Sequence, residues 1–245
     1  MVRLTRHIPA PHPRFARVTA RSKSAIQPMS SPLAANPIRR SKTAISSWAP
    51  ASLRLRLIDL NPDYTGHMRI VGISGSLRSA STNTNLLAAA ANLAPDGVEF
   101  HVTKLIAELP AFNPDANSEQ LPSVKAWIQE VRASDGIIVS TPEYARGYPG
   151  SLKNALDWLV GTDAYVDKPF MLLNASARSK VAQETLTTVL ETMSGKHIVD
   201  ASATVPLLGT TLSAAAIQEN QEFAAQISRS LAIFVEAIRV HIARQ

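Results

Sequence analysis

The apolar positions of this 245-residue chain fall into two regimes that meet near residue 67. From Met68 onward, continuous runs alternate with stripes. "MRIVGIS" (68–74) is, Arg69 apart, an apolar run of strand length, the pattern of a parallel strand buried on both faces. "VEFHV" (98–102), "GIIVST" (136–141), "PFMLLNAS" (169–176) and "HIVDASATV" (197–205) predict four more strands. Between them the period becomes helical. Val124, Trp127, Ile128 and Val131 share one stripe; Leu152, Ala155, Leu156 and Leu159 share another, at i, i+3, i+4 and i+7. Ala182, Leu186, Val189, Leu190 and Met193 mark a further helix. Phe223, Ile227, Leu231, Phe234 and Ile238 mark a long last one, and another helix begins near Leu86. Strands alternating with helices predict βαβ units, hence an α/β domain with a doubly wound, five-stranded parallel sheet and helices on both faces.

Before Met68 no such period survives. Residues 1–66 hold eight of the sixteen prolines, many serines and no acidic residue ahead of Asp59. A segment of this kind buries too little apolar surface to offset its ordering entropy, so residues 1–66 are expected to be a disordered basic extension and 67–245 the folded domain. An Arg- and Ser-rich, acid-poor composition also fits an organelle transit peptide, and a basic tail could bind nucleic acid or acidic lipid. Charge divides at the same place. Residues 1–67 carry 11 Lys or Arg against two Asp, whereas 68–245 carry 14 basic and 17 acidic side chains. The folded part is thus mildly acidic, and neither nucleic acid nor a membrane is expected as its partner. With no cysteine there is no disulfide or thiolate chemistry, and a cytoplasmic location is expected. The six histidines show no ligand spacing, so no metal site is expected.

In a flavodoxin-like sheet of this kind ligands bind outside the carboxyl ends of the strands, at the switch in strand order. The loop after the first strand, Ser74 to Thr84, holds Ser76, Arg78, Ser81, Thr82 and Asn83 at the start of a helix. Hydroxyls, backbone N–H groups and a guanidinium at a helix N-terminus suit a phosphate oxygen, and a monophosphate fits best. Neither a Walker A loop nor the GxGxxG dinucleotide fingerprint is present. Turn chemistry with a Ser or Asn cap would account for Ser81 and Asn83 alone, but not for the whole set. The loop after the third strand, "STPEYARGYPG" (140–150), is rigid and tightly turned, with Tyr144 and Tyr148 near it. Such a loop can press amides and a ring against a planar aromatic ligand.

"GSLRSASTN" after the first strand and "PEYARGYPGSLKNALDW" after the third resemble the NADPH-dependent FMN reductase family, with its chromate, quinone and azo reductases. "ELPAFNPD" (108–115) is similar to that family's segment after the second strand. The resemblance implies FMN as cofactor and NADPH or NADH as hydride donor. It places the FMN phosphate on Ser76, Arg78, Ser81, Asn83 and Thr84, with Ser74 and Thr82 as further cofactor-binding candidates. The isoalloxazine would lie between Pro142, Glu143, Tyr144, Ala145, Arg146 and Gly147 on one side and Ser176 on the other. No catalytic protein residue is implied, because the flavin carries the chemistry. The expected reaction passes hydride from the nicotinamide through FMN to a small-molecule acceptor such as a quinone, chromate, an azo dye or free flavin. The expected assembly is a homodimer or homotetramer. The alternative is a non-enzymatic, flavodoxin-like electron carrier. Two departures stand out: Ala145 and Arg146 follow Tyr144 where the family reads Asn and a Ser-containing pair, and "SARSK" (176–180) lacks the family's glycine pair. Arg146 and Arg178 are candidates for steering the nicotinamide cofactor's phosphates.

Other features are expected to be structural. "SGKH" (194–197) reads as a helix C-terminal turn, His101 and His197 as packed or solvated, and Trp127 and Trp158 as packing residues. The stripes of the last helix and of 151–160 are expected to be available as a dimer face.

Overall fold

A computed structural model describes residues 67–207 and 209–245; the expectations for residues 1–66 fall outside the described residues. In chain order the elements are β1 (Met68–Ser74), α1 (Thr82–Asn92), β2 (Val98–Val102), α2 (Pro122–Arg132), β3 (Gly136–Ser140), α3 (Gly150–Val160), β4 (Pro169–Asn174), α4 (Lys180–Thr192), β5 (Lys196–His197), β6 (Ala203–Thr204), α5 (Ala214–Glu219) and α6 (Gln221–Ile242). The strands pair in parallel in the order β2-β1-β3-β4-β5, with β6 pairing further along β4. The order reverses between β1 and β3, whose register sets Ser74 opposite Ser140.

Alternate side chains of the central strands feed two cores. Val71, Ile73, Ile137, Val139, Phe170 and Leu172 pack under α2, α3 and α4, centred on the fully buried Trp127. Met68, Ile70, Ile138, Met171 and Leu173 pack under α1, α5 and α6. This two-sided burial is why β3 and β4 read as unbroken apolar runs. The stripes of α3 and α6 are spent on these cores: Leu152, Ala155, Leu156, Ile227, Leu231, Phe234 and Ile238 are buried within the chain. They do not form a dimer face, because their apolar surface already covers the sheet. Trp127 and Trp158 are packed as expected, with Trp127 Nε1–H donating to Ala155 O at 2.8 Å and Trp158 Nε1–H to Pro110 O at 3.0 Å. Ser194 has φ 70° just beyond α4, the left-handed residue of a helix C-terminal turn.

The expected fifth strand, 197–205, is divided. β5 ends at His197 opposite Phe170, a single turn of 3₁₀ helix follows at Val199–Ala201, and β6 rejoins β4 with Ala203 opposite Leu173. Side chains fill the gap in the ladder. Ser202 Oγ accepts the Leu172 N–H at 3.0 Å and lies 3.0 Å from His197 Nε2. The His197 ring stacks on Phe170 with 4.7 Å between centroids and a 6° interplanar angle. An alternating stretch such as "HIVDASATV" gives no sign of this detour, because the side-chain bracket that replaces the ladder is tertiary. The short helix α5, capped by Ser213 through the Ala216 N–H at 3.2 Å, is also absent from the apolar pattern.

Burial pushes the His197 imidazole below its ordinary value of 6.5, with Glu191 at 3.7 Å opposing the shift. The folded protein therefore resists a proton that the unfolded chain accepts. Its contribution to stability is complete above the unfolded value and is lost as pH falls below it. The melting temperature is expected to drop between about pH 7.5 and about pH 5.5, and His197→Gln to flatten that drop. Thermal melts across the range check this; equal slopes for the two proteins would remove His197 as a contributor.

Candidate functional site

Three loops at the carboxyl edge, following β1, β3 and β4, enclose a cavity of about 250 Å³, joined by Gly209 from the segment beyond β6. It lies at the reversal of strand order, where an open parallel sheet leaves a crevice.

The first loop leaves β1 through Gly75. Its N–H donates to Ser140 O at 2.8 Å, and a Cβ here would collide with the Thr141 side chain. Gly75 thus permits the close approach of two loops. Ser74 Oγ sits 2.7 Å from Thr84 Oγ1 and accepts the Ser76 N–H at 3.3 Å. Ser76 Oγ in turn accepts the Arg78 N–H at 3.4 Å. Ser81 caps α1, its hydroxyl accepting the Thr84 N–H at 3.3 Å. Asn83 is buried and its Oδ1 accepts from Ser140 Oγ at 3.0 Å, which leaves the amide NH₂ as the end available to a ligand. The first turn of α1 carries no acidic residue, so its dipole and free N–H groups are unopposed.

The second loop closes on itself. Tyr144 N–H donates to Gly147 O at 2.8 Å and Gly147 N–H to Tyr144 O at 3.0 Å. Between them Ala145 and Arg146 have φ of 49° and 63°. Two consecutive left-handed residues make a turn that favours Asn-Gly, and each non-glycine there costs about 1–2 kcal/mol. The tip is thus strained where the sequence departs from the family it resembles. Glu143 anchors the loop's base: Oε2 accepts the Ala182 N–H at 3.0 Å, placing a carboxylate at the N-terminus of α4. Tyr144 is half exposed, whereas Tyr148 packs against the α2–α4 core and burial pushes its phenol up.

In the third loop Asn174 Oδ1 accepts the Ser176 N–H at 3.0 Å and Ser176 Oγ accepts the Arg178 N–H at 3.1 Å. Nearby, Asn154 on α3 ties down the segment 108–115, its Oδ1 accepting the Phe112 N–H at 2.7 Å and its Nδ2 donating to Pro110 O at 2.9 Å.

Of the residues singled out by sequence, Ser76, Arg78, Ser81, Thr82, Asn83, Pro142, Glu143, Tyr144 and Ser176 line the cavity together. Ser74 and Thr84 do not; they bond to each other in support of the loop. Ala145, Arg146 and Gly147 form the turn beyond the wall. Thr141, Ala175, Ser179 and Gly209 also line it and were not among the candidates. Thr141 and Ala175 read as strand tails and Ser179 as an ordinary cap, while Gly209 lies in a segment without pattern. Among the described residues no group of three His, Asp or Glu could hold a metal ion, and no helix is long and apolar enough to cross a membrane.

A family model described as NADPH-dependent FMN reductase matches residues 68–207, more than half of the chain. An NAD(P)H-dependent FMN reductase of Pseudomonas aeruginosa is 36% identical over 113 residues, covering 45% of this chain and 60% of the relative. A quinone reductase of Escherichia coli is 36% identical over 94 residues, covering 38% and 50%. The chain thus spans between half and three fifths of the length of these curated relatives. Among solved structures, the flavoenzyme NAD(P)H:(acceptor) oxidoreductase FerB of Paracoccus denitrificans aligns with a TM-score of 0.59 at 25% identity, over 71% of this chain and 98% of that one. An apo NADH:FMN oxidoreductase aligns at 0.52 and 26%, over 69% and 89%. The chain belongs to the NADPH-dependent FMN reductase family.

Arg146→Gly is expected to stabilise the protein by about 1 kcal/mol, since relief of the left-handed strain exceeds the entropy glycine adds to the unfolded chain. Urea unfolding measures it; a loss of stability would mean that the Arg146 side chain contributes more than its backbone costs.

Proposed function

We propose that this member of the NADPH-dependent FMN reductase family is an FMN-dependent NAD(P)H oxidoreductase that delivers electrons to a small molecule of the quinone class. The observation that carries the reading is one cavity with two unlike sides. On the β1 side stand a guanidinium, three hydroxyl residues, an amide and the acid-free first turn of a helix. This donor set suits the FMN phosphate. On the β3 side Pro142 and Tyr144 offer a flat, largely apolar wall suited to a ring system. The names of the relatives support the cofactor, the hydride donor and the quinone class; chromate and azo compounds are further acceptors that an open ring face would admit.

When bound, FMN supplies the hydride chemistry. The chain's part is placement and electrostatics. Arg78 offsets the phosphate charge, and Ser76, Thr82 and Asn83 offer donors to its oxygens. Ser81, spent on its cap, holds those donors in place. The β3 loop supplies the Pro142 and Tyr144 rings at the other end, with Ser176 across the cavity. A cytoplasmic enzyme, which a cysteine-free sequence allows, and a homodimer or homotetramer complete the reading. Leu77, Phe112 and Tyr144, all exposed on carboxyl-edge loops, are the apolar surface such an assembly would cover.

Arg78→Ala is expected to weaken FMN binding by about 1.5–3 kcal/mol, the range for a hydrogen bond to a charged group. Titration of the apoprotein with FMN, followed by quenching of flavin fluorescence, measures it. An unchanged dissociation constant would remove Arg78 from the site.

A further inference from the structure

The loops after β1 and β4 are two versions of one device. Ser74-Gly75-Ser76-Leu77-Arg78-Ser79 and Asn174-Ala175-Ser176-Ala177-Arg178-Ser179 both carry a short polar residue first, Ser third, Arg fifth and Ser sixth. Their hydrogen bonds correspond. The first side chain accepts the N–H of the third residue, at 3.3 and 3.0 Å, and the third hydroxyl accepts the N–H of the fifth, at 3.4 and 3.1 Å. Each loop runs into a helix of at least 11 residues, and both line the same cavity.

A repeated turn is not by itself a binding site; Ser179 is what points to a ligand. It is only 7% exposed, lines the cavity and stands at the N-cap of α4 without the side-chain bond a capping serine makes. Its Oγ has no hydrogen-bond partner among the described residues, nor have the backbone N–H groups of Lys180 and Val181. A hydroxyl open to the cavity and two free helix N–H groups together form a receptor for oxygen atoms. Arg178 and Lys180 flank Ser179 in the chain, both are exposed, and neither pairs with a carboxylate among the described residues. Glu143 takes the next N–H of the turn, that of Ala182, and leaves those of Lys180 and Val181 open.

We propose that Ser179, the open N–H groups in the first turn of α4 and the flanking Arg178 and Lys180 form a second phosphoryl seat, opening on the same cavity as the first. Three neutral donors and two cations suit the dianion of a phosphate monoester. In assigning that monoester to a reactant that meets the flavin, the proposal rests on the function proposed above; the seat itself does not. The monoester is either the 2′-phosphate of the nicotinamide dinucleotide or the phosphate of a second flavin acting as acceptor.

The test uses the full chain freed of flavin and titrated by calorimetry with adenosine 2′,5′-bisphosphate, with 5′-AMP and with FMN. Ser179→Ala and the double variant Arg178→Ala, Lys180→Ala are compared with Arg78→Ala, after circular dichroism has shown each to be folded. If the seat takes the 2′-phosphate, the α4-side variants raise the dissociation constant of the bisphosphate about tenfold, leave that of 5′-AMP unchanged and change that of FMN by less than Arg78→Ala does. Arg78→Ala then does the reverse. If it takes a second flavin, the same variants abolish a weaker second equivalent of FMN instead. The proposal is overturned if neither ligand responds to Ser179 or Arg178, or if Arg78→Ala and the α4-side variants weaken one and the same binding event equally. Loss of FMN binding throughout, with a bisphosphate affinity that still depends on Ser179, would sink the flavin reading and leave the second seat standing.

Discussion

One backbone hydrogen bond, 2.8 Å from Gly75 N–H to Ser140 O, ends the β1–β3 ladder, and the rest of the site depends on it. At that rung the chain leaves β1 for α1, under one face of the sheet, and leaves β3 for α3, under the other. The two exits must diverge, and the crevice between them cannot be filled by either. Gly75 allows the parting to be tight, since any side chain would strike Thr141 and push the loops apart. Asn83 then ties α1 back to β3 through Ser140. The cavity is therefore a consequence of strand order, and the Gly75–Ser140 and Asn83–Ser140 bonds hold its two walls together.

Electrostatics divides the cavity's two helix starts. The first turn of α1 is free of acid, whereas α4 meets Glu143 from the neighbouring loop. A carboxylate at α4 is stabilised by the dipole and, in return, fixes the base of the β3 loop. The tip of that loop goes the other way, with Ala145 and Arg146 held in left-handed backbone that neither prefers. A strained tip on an anchored base is the arrangement found where a loop's shape matters to a ligand more than its own stability does.

Much of the fold was legible because both faces of the sheet are covered. "GIIVS" and "PFMLLN", and "MRIVGIS" apart from Arg69, read as strands since both faces of the pleat meet a helix. The fifth strand was misread where His197 and Ser202 replace the ladder with side-chain bonds, which no period can announce. The hydroxyl-rich side of the cavity was legible because a run of hydroxyls and an arginine has no packing reason to follow a buried strand. Ser74 and Thr84, of the same residue types, could not be told from the lining, since only the fold shows that each satisfies the other. Ser179 was hidden by its ordinary role as a cap, and it is the missing cap bond that sets it apart.

The most direct test of the account is the absorbance spectrum of the purified full chain, recorded before and after NADPH is added under argon. Flavin bands that bleach within the mixing time are the predicted result. Bands that stay oxidised would contradict the reductase, and the absence of any bands after FMN is supplied would contradict the cavity itself.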